Sequence, residues 1–247
     1  MPHKKLAARI GISQLPEKPT KIAVLEACTL LNALTSQQRE MLAKGSFMAY
    51  ADRGEVIWLA DAPSEFVAIV GAGFVKMTKC SAQGQEIALE LLGPGQCFGL
   101  FAVLEGRAYP LSAIAVTNTW YLKIPKEVFA SVYQKNLEIK DLIIRTIGPR
   151  LRKAHDMMSR LVSGRVEERV AAVLLILADN YGEKQESKIQ LNVPLTRQDI
   201  SEMAGTTVET TIRVMSKWQK KGILETDHQI ITILNERELA KALRGND

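Results

Sequence analysis

Four side chains between positions 208 and 213 have the types and the spacing to read base-pair edges. Glu209 and Arg213 are four residues apart, and Val208 and Ile212 repeat that interval one place earlier. Residues at i and i+4 share one face of a helix, so a helical 206–221 segment gathers all four. A guanidinium forks onto guanine, a carboxylate accepts from cytosine N4, and aliphatic groups meet thymine methyls. The same pattern also describes a surface ion pair beside scattered apolar residues, worth little by itself.

The elements that position these residues favour the first reading. A helix needs one buried stripe, and Thr211, Val214, Met215 and Trp218 supply it at intervals of three and four. Upstream, Thr196 has the hydroxyl to cap a shorter helix whose apolar stripe is Ile200, Met203 and Ala204. Gly205 follows where a left-handed terminating residue is expected. Thr206 or Thr207 then caps the second helix, and Thr206 to Glu209 has capping-box spacing. Two short helices joined by a tight turn are a helix-turn-helix.

The runs TRQDI, AGTTVETTIR and KKGIL, all within 196–224, resemble the DNA-binding motif of the cAMP receptor protein/FNR family of bacterial transcription regulators. The resemblance covers residues 28–243 and is strongest here. It implies a homodimer with two recognition helices in successive major grooves of a pseudo-palindrome, acting on double-stranded DNA with RNA polymerase as a partner. Glu209 and Arg213 are then expected to read the TGA core of each half-site. Val208 stands where the cAMP receptor has an additional base-reading arginine, and FNR-like members carry Val there. A TTGA-type half-site is therefore expected rather than TGTGA. Ile212 replaces a small or polar residue, leaving the adjacent base open. Thr196, Arg197, Thr207 and Lys217 are expected on phosphates, which position the protein without specifying sequence.

The whole chain is compatible with this reading. Its 247 residues suit two domains, and 47% apolar with 24% charged residues is an ordinary globular composition. No apolar run has bilayer length, and the basic start has no sustained apolar core of a signal peptide. The cytoplasm is the default location, with no membrane partner. The net charge of +5 permits a polyanionic partner, yet acidic and basic residues nearly cancel after Gly164. Bulk charge therefore does not establish DNA binding; the local pattern must. No GxxxxGK[ST], HExxH, GxSxG or zinc-spaced Cys/His set occurs, so no catalytic or metal site is assigned.

The fold class expected is α+β. A flexible basic arm is read over 1–25, with a sensor β-domain over 26–125. A linker and dimerisation helix follow over 126–163, and a winged helix-turn-helix over 164–247. Short apolar or alternating runs between 46 and 124, separated by Gly, Pro and Asp breaks, read as an all-β unit. The resemblance makes it a cyclic-nucleotide-binding-like β-barrel, a double-stranded β-helix. In cyclic-nucleotide binders of this family a Glu after a Phe-Gly step holds the ribose, and an Arg-Ser pair about ten residues on neutralises the phosphate. Here Leu100 follows Phe98-Gly99, and Tyr109-Pro110 takes the Arg-Ser position. A phosphate buried without a cation is heavily penalised, so cAMP is disfavoured. Leu100, Arg107 and Tyr109 mark the effector pocket, and the small-molecule or redox effector is left unidentified. An effector-independent regulator with a vestigial barrel, or a haem- or redox-sensing member of the same family, stays open as the alternative.

Redox and gas cofactors find few ligands. Cys28, Cys80 and Cys97 are widely spaced and read as buried thiols, without the N-terminal group of cysteines that holds the family's iron–sulfur cluster. Of His3, His155 and His228, none falls in the barrel, which speaks against haem.

Between the domains, Val128, Phe129 and Val132 suggest a short helix after Pro125. A long helix follows, with Ile139, Ile143, Ile147, Leu151, Met158 and Leu161 mostly three, four or seven apart. The last five of these are read as the dimer helix, although a monomer could bury such a stripe on its own barrel. Gly148-Pro149 is expected to kink or divide it. Residues 162–164 form the hinge, and 165–180 read as the first helix of the winged domain. A hairpin over 184–193, two wing strands around Asp227-His228 and a closing helix over 236–244 complete the expectation.

Overall fold

The computed structural model describes residues 16–243 apart from Gln83, with the backbone alone at 150, 153, 154 and 156–163. The chain enters through α1 (Lys21–Ala27), capped by the Thr20 hydroxyl, a 3-10 turn (Thr29–Leu31) and α2 (Ser36–Gly45), capped reciprocally by Thr35 and Gln38. Val24 and Leu25 of α1 are buried, so the expected basic arm is corrected: its last residues are packed structure. Lys21 explains why this stretch reads as an arm. Its ammonium leaves solvent to donate to the carbonyls of Ala43 and Ser46, at 3.0 and 2.7 Å. Residues 1–15 lie outside the described part.

Eight strands then form two four-stranded antiparallel sheets. They are β1 (Phe47–Ala51), β2 (Val56–Trp58), β3 (Phe66–Ala72), β4 (Val75–Cys80), β5 (Glu86–Leu92), β6 (Cys97–Phe98), β7 (Ser112–Ala115) and β8 (Thr119–Pro125). One sheet runs β1-β8-β3-β6 and the other β2-β7-β4-β5. A short helix, α3 (Leu100–Glu105), interrupts the strands after β6. Ala68, Val70, Val75, Met77, Leu92 and Ala115 are among the residues of both sheets that close one apolar core.

The helical bridge is α4 (Lys126–Tyr133) followed by α5 (Leu137–Ser163). Pro149 lies inside α5, which continues through it, so of the expected kink or division the division does not occur. The expected seam splits into two faces. Ile139 and Ile143 are buried against Leu30, Leu31 and Phe129 of the β-domain. Ile143, only 5% exposed, is therefore corrected from the dimer face to the barrel's own core. Ile147 and Leu151 are exposed at 41% and 52%, together with Leu137 and Ile144. The side chains of Met158 and Leu161 lie outside the described part. Among the described residues, no helix is long and apolar enough to cross a membrane.

After Gly164 comes the C-terminal unit: α6 (Val166–Tyr181), β9 (Gly182–Gln185), β10 (Lys188–Leu191), α7 (Arg197–Ala204), α8 (Val208–Lys220), β11 (Leu224–Asp227), β12 (Ile230–Ile233) and α9 (Glu236–Ala242). Its sheet runs β11-β12-β10-β9, so the wing pair and the upstream hairpin are one sheet. Val170, Leu174, Ile200, Val214, Met215, Trp218 and Leu239 lie in its core. Ala88 and Val116 of the β-domain belong to that same cluster, so the two units share a packed boundary.

Candidate nucleic-acid interface

The α7–α8 pair is built by local chemistry. The Thr196 hydroxyl accepts from the Asp199 N–H at 3.1 Å, and the Asp199 carboxylate accepts from the Thr196 N–H at 2.9 Å. This reciprocal cap satisfies two otherwise orphaned donors at the start of α7. Gly205 ends α7 with φ 58°, left-handed backbone that a Cβ would strain. The second helix is capped by Thr207 rather than Thr206, its hydroxyl accepting from the Thr210 N–H at 3.2 Å. The expected Thr206–Glu209 box therefore does not form; a simple cap by Thr207 takes its place.

Arg169 of α6 braces the turn from behind. Its guanidinium donates to the carbonyls of Ala204, Gly205 and Gly164, at 2.9, 3.3 and 3.0 Å. One side chain therefore ties the end of α7 to the hinge. The sequence carried no signal for this, because an arginine on an amphipathic helix reads as solvated.

The recognition helix sorts its faces as its spacing requires. Thr211, Val214, Met215 and Trp218 are buried, and Thr211 satisfies its hydroxyl on the Thr207 carbonyl at 3.0 Å. Glu209, Ile212 and Arg213 are exposed, and Val208 is half-buried at the first turn. Ile212, 47% exposed, thus stands beside an acidic and a basic group on the open face of α8.

The expected phosphate contacts fare unequally. Thr207 is exposed at the head of the recognition helix, and Thr196 is half-buried at the head of α7. Arg197 is half-buried and donates to the Thr226 hydroxyl at 3.0 Å, linking α7 to the wing; burial pushes its pKa down. Lys217 donates to both carboxylate oxygens of Glu167, at 3.1 and 3.2 Å. In this arrangement Arg197 and Lys217 are spent partly within the protein. At the wing tip, His228 and Gln229 take positive φ, and Gln229 accepts from Arg53 of the β-domain at 2.7 Å.

The expected effector pocket does not assemble. Leu100 is buried in the cluster of Leu30, Leu31 and Ile139. Tyr109 lies in the other cluster of the β-domain, flat on Trp58, with its hydroxyl donating to the Phe66 carbonyl at 2.6 Å and accepting from the Phe66 N–H at 3.2 Å. Burial pushes the Tyr109 phenol up from its ordinary pKa. Arg107 is 81% exposed along its side chain and, among the described residues, its charge meets Glu105 at 4.0 Å. Gly99 has φ 75°, and a Cβ there would lie 3.0 Å from the Tyr109 ring and 3.2 Å from Trp58. The backbone thus closes directly over the stacked rings. Cys28 and Cys97 are buried, whereas Cys80 is exposed at the end of β4, against expectation. His155 on α5 and His228 in the wing both lie outside the barrel.

Sequence reading missed the contact between units. Lys76 of β4 is buried against α7, its ammonium 3.2 Å from Asp199 and 2.5 Å from Glu202. Tyr181 of α6 donates to the Leu91 carbonyl at 2.7 Å and meets Phe74 edge-on at 5.4 Å. A lone lysine on a strand reads as solvent-facing, so neither pairing was legible.

Comparison with known proteins matches the description of both units. Residues 49–136 match the cyclic nucleotide-binding domain, and residues 168–242 match the Crp-like helix-turn-helix domain. A CRP-like cAMP-activated global transcriptional regulator of Mycobacterium tuberculosis is 23% identical over 78% of this chain and 86% of its own. A fumarate and nitrate reduction regulatory protein of Vibrio cholerae is 27% identical, covering 76% and 74%. Among solved structures, FixK2 from Bradyrhizobium japonicum superposes with a TM-score of 0.70 at 26% identity, covering 80% of this chain and 96% of that one. The Mycobacterium and Vibrio proteins are named as regulators, not enzymes. With a cyclic nucleotide-binding β-domain leading into a capped helix-turn-helix whose recognition face is open, the chain belongs to the cAMP receptor protein/FNR family of transcription regulators.

Proposed function

We propose that the protein is a homodimeric regulator that binds a pseudo-palindromic, TTGA-type operator in the cytoplasm, with RNA polymerase as its downstream partner. The open face of α8 carries this reading: Glu209 and Arg213 stand exposed over a stripe of four buried residues. In it, Glu209 and Arg213 read the TGA core, while Val208 and Ile212 meet thymine methyls or flanking bases. Thr196 and Thr207 meet phosphates at the starts of α7 and α8, their hydroxyl donors exchanging Asp199 and Thr210 for phosphate. Arg197 and Lys217 join them by exchanging Thr226 and Glu167 for phosphate. The dimer is supported by Leu137, Ile144 and Leu151, exposed at seven-residue intervals on α5 with Ile147 between them. Two such stripes bury one another around a two-fold axis. Selection of bound duplexes from a random pool tests the reading. Paired TTGA half-sites about one helical turn apart are expected, and recovery of no shared motif sinks it. Arg197→Ala, measured over a salt series, is expected to weaken all duplexes and flatten the salt dependence.

The signal is read as something other than cAMP, since Leu100 and Tyr109 present neither a ribose acceptor nor a cation. A second reading, a regulator whose barrel is only a scaffold, is favoured by the Tyr109–Trp58 stack inside the cyclic nucleotide-binding fold. Operator affinity of freshly purified protein separates the two. Affinity unchanged by dialysis or by candidate effectors favours the scaffold, and a loss on dialysis favours a bound signal. Its absorption spectrum shows whether haem or an iron–sulfur cluster is present.

A further inference from the structure

The outer face of the β2-β7-β4-β5 sheet carries the DNA-binding unit, and Lys76 is the charged centre of that contact. Its ammonium sits between Asp199 and Glu202, and every oxygen of the two carboxylates has a partner. Asp199 Oδ1 and Glu202 Oε2 take Lys76, Asp199 Oδ2 takes the N–H and hydroxyl of Thr196, and Glu202 Oε1 takes the Gln198 amide. Burial pulls the Lys76 pKa down, but the two carboxylates together outweigh it and hold it above its ordinary value. The ammonium is therefore charged in the fold.

Covalently, the DNA-binding unit hangs from α5 only through Gly164 and Arg165. A link that short leaves the recognition helix free to swing unless a second attachment fixes it. The apolar part of the boundary, Phe74, Ala88 and Val116, is non-directional and tolerates sliding. The ion triad does not. It demands that one ammonium lie between two carboxylates, because parting them leaves buried charge uncompensated. Asp199 is also the reciprocal cap of α7, so displacement of Lys76 reaches the start of the helix-turn-helix directly. At the tip of the same hairpin, Gln85 donates to the Thr206 carbonyl in the turn between α7 and α8, at 3.0 Å. The docked unit keeps Glu209, Ile212 and Arg213 open.

We propose that Lys76, a residue of the β-domain, is a positioning residue for DNA binding, holding α7 and the recognition helix in the orientation that lets both subunits engage one operator. The proposal rests on the two-half-site dimer described above. Two recognition helices must match a spacing of about 34 Å, and a domain that swings loses the gain of simultaneous engagement. One half-site imposes no such demand.

The test is fluorescence anisotropy of full-length Lys76→Met on two duplexes of equal length, one with two TTGA half-sites and one with a single half-site. The two-site affinity is expected to fall by about tenfold or more while the single-site affinity holds. Lys76→Arg, which can fork onto both carboxylates, is expected to retain two-site binding. Thermal melting reports whether each variant folds. If Lys76→Met does not, Glu202→Gln, which leaves Lys76 in place, is expected to give a smaller fall confined to the two-site duplex. Equal loss on both duplexes in a folded variant, no loss on either, or tighter two-site binding overturns the proposal. Wild-type protein without preference for the two-site duplex overturns the dimeric operator reading, and this proposal with it.

Discussion

Tyr109 lies on Trp58 with ring centroids 4.1 Å apart and planes 13° from parallel. By the sequence resemblance, Tyr109 stands where the family's nucleotide binders place an arginine for the phosphate. Filling that place with aromatic surface makes it part of the core. Tyr109→Ala is expected to destabilise the protein by about 3–5 kcal/mol through the cavity left behind. Tyr109→Phe strands both polar groups of Phe66 and is expected to lose about 1–3 kcal/mol. Denaturant unfolding measures both, and an Ala variant as stable as the parent means that the rings do not pack.

Arg213 is the base contact whose loss is most informative. Arg213→Ala is expected to weaken cognate binding by about 1–3 kcal/mol and to relax one base position. Competition with operators changed at single positions reads this directly. Equal weakening on cognate and random duplexes removes Arg213 from the base-reading set.

Arg169 makes a different kind of contribution. Its three carbonyl contacts are charge-assisted, and each such bond contributes about 1.5–3 kcal/mol. Arg169→Ala is expected to reduce stability by at least one such bond and to weaken specific and random DNA alike, because it loosens the turn rather than a base contact. Hydrogen exchange at Gly205–Thr207 is expected to quicken; an unchanged rate there means the brace is idle.

The exposed α5 stripe gives a prediction about assembly. Ile144→Glu and Leu151→Glu place charge where two stripes meet and are expected to convert dimer to monomer. Both positions are exposed in the single chain, so monomer stability is expected to stay within about 0.5 kcal/mol. Sedimentation velocity distinguishes the states, and a wild-type chain that sediments as a monomer removes the dimer.

Alkaline pH acts on the boundary between the units. Tyr181 is pushed up to about 12 from 10.0, chiefly by burial and then by Glu90, and Lys76 is raised above 10.5. In the unfolded chain both lose their protons first, so the folded state binds more protons over that interval. Their contribution to stability is complete below about pH 10 and is lost as pH rises through the folded values. The melting temperature is expected to fall between pH 10 and 12, less steeply in Tyr181→Phe. Identical slopes in the two proteins mean that Tyr181 does not ionise with unfolding.

Where one periodicity answered to one partner, the sequence was legible. The Thr211, Val214, Met215 and Trp218 stripe packs as its spacing demands, because α8 has a single buried face. On α5 two partners compete for apolar residues, and spacing could not tell that Ile143 faces the barrel while Ile147 and Leu151 do not. Lys21 and Lys76 defeated sequence reading for a shared reason. Each is a cation drawn inward by acceptors distant in the chain, 22 residues away at the nearest for Lys21 and 123 for Lys76. The sensor positions were legible in composition alone: Leu100 and Tyr109 showed that a ribose acceptor and a cation were missing, but not that the rings would close the space.

Ala88 and Val116, which sit in the core of the DNA-binding unit, make the two halves poor candidates for exchange. Recombining this helix-turn-helix with a foreign barrel at Gly164 would respect the chain's connectivity yet strip apolar cover from both partners. A chimera would also need a lysine at the position of Lys76, presented from a strand at matching height. The portable cassette of this protein is therefore larger than its winged domain, and includes the β4–β5 hairpin on which α7 rests.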